Sequence, residues 1–201
     1  MVKSIRINPL VKKFLIWWNK FFFKPDAFSF AEKMRRAENV LICLPAKPES
    51  FASAKDHLTI FLDIFQNKKN FVFLPLIGGE TFLSHLKRYM VISPQKEELK
   101  IFSLPRKKFI QRIKDYRFEI TLDLDLEDGF LNSYLCLKSG ACVRIGLKGK
   151  TGPPFYNIQL APSKERLYQG DLYVGMAKML KSLSQEFAVG GEENRNSILK
   201  R

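Results

Sequence analysis

The chain reads as an α/β protein: one domain with a mainly parallel sheet flanked by helices, preceded by an N-terminal amphipathic helix. Three observations predict this. Short apolar runs alternate with segments of helical spacing along most of the 201 residues, which is the pattern of βαβ units. The apolar runs are near-continuous, as strands covered on both faces are. A 46% apolar composition with 18 Phe fills one core, and the length sits near the ~100–200 residues of a single domain.

The elements follow in order. Met1 to Lys24 holds six basic residues and no acid. Wound as a helix, its run from Leu10 puts Leu10, Phe14, Trp17, Trp18 and Phe21 on one broad face. Lys12, Lys13, Asn19, Lys20 and Lys24 fall on the other, where Ile16 and Phe23 interrupt the polar side. The run is shorter than the ~18 uninterrupted apolar residues of a spanning helix. No small-residue cleavage site follows Phe23-Lys24-Pro25, so a signal peptide does not fit. An aromatic face beside a lysine face suits the plane of a bilayer interface, which makes Lys12, Lys13, Phe14, Trp17, Trp18, Lys20, Phe21 and Lys24 the membrane-contact candidates. The alternative is a helix that packs on its own domain or on a partner.

A short basic helix over Phe28–Arg36 leads into the domain. Asn39–Leu44 is the first parallel strand, stopped by Pro45 and Pro48, and Phe51–Gln66 is a helix with Leu58, Phe61, Leu62 and Phe65 inward. Asn70–Pro75 is the second strand. Gly78-Gly79 turns into a helix over Glu80–Arg88, and Tyr89–Ser93 is the third strand. An extended piece at Phe102–Pro105 precedes a helix through Phe109, Ile110 and Ile113, with Pro105 in its first turn. Phe118–Leu126 is a buried strand on which Leu122, Leu124 and Leu126 alternate with Asp123, Asp125 and Glu127. Gly129–Leu137 is a helix, Val143–Gly146 a strand, Phe155–Leu160 a further strand candidate, and Leu167–Leu183 the last helix. The chain thus divides into a basic N-terminal segment, 1–37, a domain, 38–183, and a polar tail expected to be flexible, 184–201.

The balance of 34 Lys+Arg against 20 Asp+Glu gives a net charge of +14, which favours anionic partners. Cys43, Cys136 and Cys142 lack CxxC spacing and lie in apolar stretches, as buried thiols of a reducing compartment do. With only His57 and His85 beside them no zinc site is expected, and no metal or cofactor is assigned. A dinucleotide site needs a G-x-G-x-x-G loop after the first strand, yet Leu44–Phe51 contains no glycine. Nucleic acid is disfavoured, since basic and aromatic residues do not cluster in a recognisable motif.

Three features remain as ligand-site candidates, each with a structural alternative. Gly78-Gly79 brings backbone N–H groups to an anion, or simply turns the chain. Asp123, Asp125, Glu127 and Asp128 hold a cation or sugar hydroxyls at the carboxyl end of a strand, or face solvent and cap the next helix. Arg144 with Lys148, Lys150 and Lys164 meets a phosphate-bearing ligand, or forms a solvated basic face.

The strand pattern "apolar, Asp, Leu", a small helix, and then Ser139-Gly-Ala-Cys-Val-Arg-Ile-Gly146 resembles the N-terminal domain of family 9 glycosyltransferases, the lipopolysaccharide heptosyltransferases. The resemblance implies a Rossmann-like domain, one of the two that build such GT-B enzymes around an active-site cleft. In that family the first strand leads to a loop ending Gly-Asp, whose Asp serves as the base for the acceptor hydroxyl. Here Glu49-Ser50 stands at that place, so Glu49 is the candidate base and Ser50 joins the ligand-binding set. The family's C-terminal domain holds the sugar nucleotide, and the length here accommodates one domain. The expectation is therefore a non-catalytic, heptosyltransferase-like module of bacterial type, a pseudoenzyme that binds or scaffolds. It would be cytoplasmic, peripherally held at the inner face of the cytoplasmic membrane, with an anionic membrane surface and a protein as partners. The alternative is the acceptor-side half of a transferase in surface-polysaccharide synthesis, holding a glycan or glycolipid acceptor and paired with a separate donor-binding protein.

Overall fold

Strands that bury both faces force a sheet between two helix layers, and the computed structural model has that arrangement. It describes residues 3–4, 7–24, 29–77, 83, 88–100, 104–127, 129–161 and 168–198. In chain order the elements are β1 (Lys3–Ser4), α1 (Pro9–Phe21), α2 (Phe30–Arg36), β2 (Asn39–Cys43), α3 (Pro48–Ile64), β3 (Lys69–Phe73), β4 (Leu76–Ile77) and β5 (Met90–Ile92). After these come α4 (Lys107–Asp115), β6 (Ile120–Asp123), α5 (Phe130–Lys138), β7 (Val143–Leu147), β8 (Ile158–Leu160) and α6 (Gln169–Ile198). Six strands form one parallel, Rossmann-like sheet in the order β5-β3-β2-β6-β7-β8.

The strand alternation sorts side chains into two cores. Val40, Ile42, Leu44, Ile120, Leu122, Leu124 and Val72 face α3 and α6, where Leu58, Phe61, Leu62, Tyr173, Met176 and Leu180 close over them. Leu41, Cys43, Phe71 and Phe73 face the other way, under Phe109 and Ile113 of α4 and Leu135 and Cys136 of α5. Burying one large apolar side chain contributes about 1.5–3 kcal/mol, so these two layers fix the register of every central strand.

The structure departs from the sequence expectations at several points, each with a local cause. β6 stops at Asp123 and not at Leu126. The Asp125 N–H donates to Asp123 Oδ1 (3.0 Å) and the Glu127 N–H to Asp125 Oδ1 (2.9 Å), so two successive Asx turns draw the backbone out of the ladder. α3 starts at Pro48 and not at Phe51, because Pro at the first helical position needs no N–H partner. Pro105 is not in a helix: it bridges Leu99, and α4 begins at Lys107. Of Phe155–Leu160 only Ile158–Leu160 is strand, pairing parallel with β7. α6 continues to Ile198, where the sequence suggested an end near Leu183 and a polar tail. Gly78, Gly79, Asp128 and most of the expected helix over 80–88 lie outside the described residues.

The N-terminal segment is joined to the domain at three places. β1 pairs antiparallel with β4, and Met34 of α2 enters the core beneath α6. α1 forms as its sequence directs, with Asn8 Oδ1 accepting the Leu10 N–H (2.9 Å) and Pro9 at the first helical position. It docks through Leu15 and Ile16, which pack with Ile7, Ile110, Tyr134 and Leu137 against the second core. Lys138 at the end of α5 donates to Asn19 Oδ1 (3.2 Å). Ile16, which interrupts the polar side in a helical projection, is thus an anchor. The opposite face, Leu10, Phe14, Trp17, Trp18, Phe21 and Phe22, is left exposed.

Candidate functional site

In an open parallel sheet the ligand crevice lies outside the carboxyl ends of the strands, where the strand order reverses. Here that point is between β2 and β6. The chain leaves β2 to build β3 and β5 on one side, then returns to β6 on the other. The crevice rim comes from the β2–α3 connection and the first turn of α3, facing the loop after β6.

Across this rim Glu127 joins the two loops. Its carboxylate pairs with the Lys47 ammonium and accepts a hydrogen bond from Ser50 Oγ (3.2 Å). Ser50 is buried in the first turn of α3, while Glu49 beside it is exposed. Starting α3 at Pro48 puts both residues on a helix and not in a flexible loop.

Beneath the rim sits a buried polar network centred on Asp123, which is 0% exposed. Its Oδ1 accepts from Asn132 Nδ2 (2.9 Å) and from the Asp125 N–H. Its Oδ2 accepts from Lys150 Nζ (2.6 Å) and from the Tyr156 hydroxyl. Asn132 Nδ2 also reaches the Leu44 carbonyl (3.0 Å), tying α5 to the end of β2. Lys150 donates further to the Asp125 carbonyl (2.7 Å), and the Tyr156 hydroxyl lies 2.7 Å from Ser133 Oγ. The Lys150 side chain is 4% exposed.

The electrostatics follow from this burial. Burial alone favours a neutral Lys150, but Asp123 and Asp125 outweigh it and hold the ammonium, with its pKa above the ordinary value. Burial, then the Asp123 charge, pushes the Asp125 carboxyl up; Lys150 opposes the shift in part. The Tyr156 hydroxyl is raised by burial and by Asp123, so it stays a donor. Cys43 is raised by burial and by its neighbour Cys136, leaving it an inert thiol.

The chemistry open to this arrangement is limited. Four donors satisfy the two Asp123 oxygens, so this carboxylate has little capacity to take a proton from a hydroxyl. Asp125 Oδ1 is occupied by the Glu127 N–H. Its Oδ2 lies where a side chain at Gly129 would sit: a Cβ there would come within 1.7 Å of it. Among the described residues no group of three or more His, Cys, Asp and Glu is placed to hold a metal ion.

The structure also explains the Ser-Gly-Ala-x-x-Arg-Ile-Gly run. Ser139 Oγ accepts the Ala141 N–H (3.2 Å) and Gly140 takes φ 83°, which stops α5 and turns the chain into β7. The Arg144 guanidinium donates to the Ala141 (2.6 Å) and Pro154 (3.1 Å) carbonyls. A Cβ on Gly146 would lie 2.6 Å from the Tyr156 ring, so only glycine lets that ring pack on β7. Arg144 is therefore a tie between loops.

Sequence reasoning gathered Asp123, Asp125 and Glu127 at one strand end and named Ser50 separately; the fold places Ser50 against Glu127. That reasoning missed Lys47, Asn132, Ser133 and Tyr156, and it placed Lys150 either against a phosphate-bearing ligand or on a solvated basic face. The correction has a readable signal: Lys150 lies between Gly149 (φ 95°) and Gly152 (φ 63°), a loop able to fold back and present it inward.

No family model and no curated protein matches the chain. Two solved structures do. E. coli ADP-heptose LPS heptosyltransferase II aligns with a TM-score of 0.53 at 17% identity, over 69% of this chain and 40% of that one. A family 9 glycosyltransferase from Veillonella parvula aligns with a TM-score of 0.47 at 12% identity, over 71% of this chain and 41% of that one. The chain thus shares the fold of part of the heptosyltransferase, and spans about two-fifths of the length of each structure it matches.

Proposed function

We propose that the chain is a glycosyltransferase-like module that works by binding or scaffolding, and not by sugar transfer, at the inner face of the cytoplasmic membrane. The observation that carries this reading is the orientation of α1. The helix is fastened to the domain by Leu15, Ile16 and Asn19, which leaves an aromatic face outward with no partner surface among the described residues, Trp17 57% and Phe21 68% exposed. A contiguous exposed apolar face rimmed by lysines marks an interaction surface. The crevice adds support: its buried carboxylates are spent on Lys150, Tyr156, Asn132 and backbone N–H groups, and Glu49 stands in solvent.

Membrane fractionation of cells expressing the chain tests the location, with Trp17→Ser/Phe21→Ser as the comparison. Release of the variant, with the wild type retained, supports the reading, and a wild type found wholly in the soluble fraction rejects it. Calorimetry against nucleotide sugars tests the absence of transfer. Saturable binding abolished by Glu127→Ala would restore an enzyme.

The second reading, an acceptor-side half working with a separate donor-binding protein, draws on one observation. Lys47, Ser50 and Glu127 meet at the switch point with Glu49 in the same helical turn, a polar rim suited to hydroxyl groups.

A further inference from the structure

The face presented by α1 has three properties that together specify what covers it. It is long: thirteen residues of helix, about 20 Å, along which the rings of Phe14, Trp17, Trp18, Phe21 and Phe22 meet in successive, mostly tilted contacts. The charged side chains that α1 places beside it are cations. Lys13 and Lys20 are exposed beside the aromatic row, Lys24 follows it, and α1 contains no acidic residue. On the docked side of the helix, Lys138 of α5 donates to Asn19 Oδ1 (3.2 Å). Finally, the helix is already built. Asn8 caps it, β1 tethers its start to β4, and the Leu15–Ile16 side is packed before any partner arrives.

Resting on the membrane reading above, we infer that α1 is a preformed in-plane docking face for an anionic phospholipid bilayer, entered by the aromatic row and held by Lys13, Lys20 and Lys24 at the headgroups. A protein groove would present acidic and shape-matched contacts to one side of the row. A lipid surface accepts a continuous apolar ridge flanked by lysines at one level. Because the helix is ordered beforehand, association does not include the entropic cost of folding it, unlike an amphipathic segment that becomes helical only on lipid.

The test uses the full chain and its own fluorescence, because its two tryptophans, Trp17 and Trp18, both lie on α1. Phosphatidylcholine vesicles with and without about a third phosphatidylglycerol are titrated while tryptophan emission and far-UV helix signal are recorded. Expected is a blue shift on anionic vesicles with unchanged helix signal, and weaker binding as salt rises past about 0.1 M. Lys13→Gln/Lys20→Gln should weaken binding about 30-fold, at roughly fivefold per lysine near the surface. Each variant's helix signal in the absence of lipid confirms its fold. Equal binding to neutral vesicles, or a gain of helix on binding, overturns this inference while leaving membrane location intact. Retention in the cellular membrane fraction without any vesicle binding overturns it in favour of a protein receptor. Absence from both rejects the membrane reading itself.

Discussion

Replacing Lys150 by Met removes the ammonium that meets Asp123 Oδ2 at 2.6 Å and leaves an aliphatic chain of similar length. Asp123 keeps Asn132, Tyr156 and the Asp125 N–H, so its hydrogen bonds survive in part, but a 0% exposed carboxylate loses its counter-charge. Breaking a buried pair by removing one partner costs about 3–5 kcal/mol, a large share of the ~5–15 kcal/mol stability of a domain. At a urea m-value of about 2 kcal/mol/M, the unfolding midpoint should fall by roughly 1.5–2.5 M. Adding Asp123→Asn removes the stranded charge and should recover part of the loss, giving a measurable coupling in a double-mutant cycle. Urea unfolding followed by far-UV circular dichroism is the assay. A Lys150→Met midpoint within about 0.3 M of wild type, or a double variant no more stable than the single, would refute the assignment of Lys150 as the counter-ion of a closed crevice.

Gly146→Ala should destabilise by about 1–3 kcal/mol in thermal unfolding, because the new methyl meets the Tyr156 ring at 2.6 Å and both sit in packed core. Asp125→Asn should raise stability at neutral pH and flatten its pH dependence. The raised folded-state pKa means that the wild type loses stability as pH climbs above the unfolded carboxylate value, and the amide removes that titration while Oδ1 still accepts the Glu127 N–H; parallel urea curves from acid to neutral pH check this. Trp17→Ser/Phe21→Ser should leave the unfolding midpoint nearly unchanged, within about 0.5 kcal/mol, since both side chains are exposed; a larger loss would mean that the row stabilises the fold.

The order of elements along the domain was legible from the sequence because it depends on local pattern. A run such as Val40–Leu44, apolar on both faces, has no stable place except a central parallel strand, and the spacing of Leu58, Phe61, Leu62 and Phe65 has no periodic match except a helix. The gathering of Asp123, Asp125 and Glu127 at a strand end was legible for the same reason. What the sequence left open was which surfaces meet. Lys150 is 27 residues from Asp123, and nothing in their local context says that one neutralises the other; only the return of the β7–β8 loop over β6 brings a lysine into a dry site and turns the acidic cluster from a candidate ligand site into a closed network. α1 shows the same division. Its sequence determined that one side is aromatic and that lysines line the other, but a helix with two partly apolar sides can dock by either. The domain selected Leu15 and Ile16, which pack against its second core, and the larger aromatic row was left to face outward. Long-range packing decides such choices because the free-energy difference lies in contacts with distant residues, which no window along the chain contains.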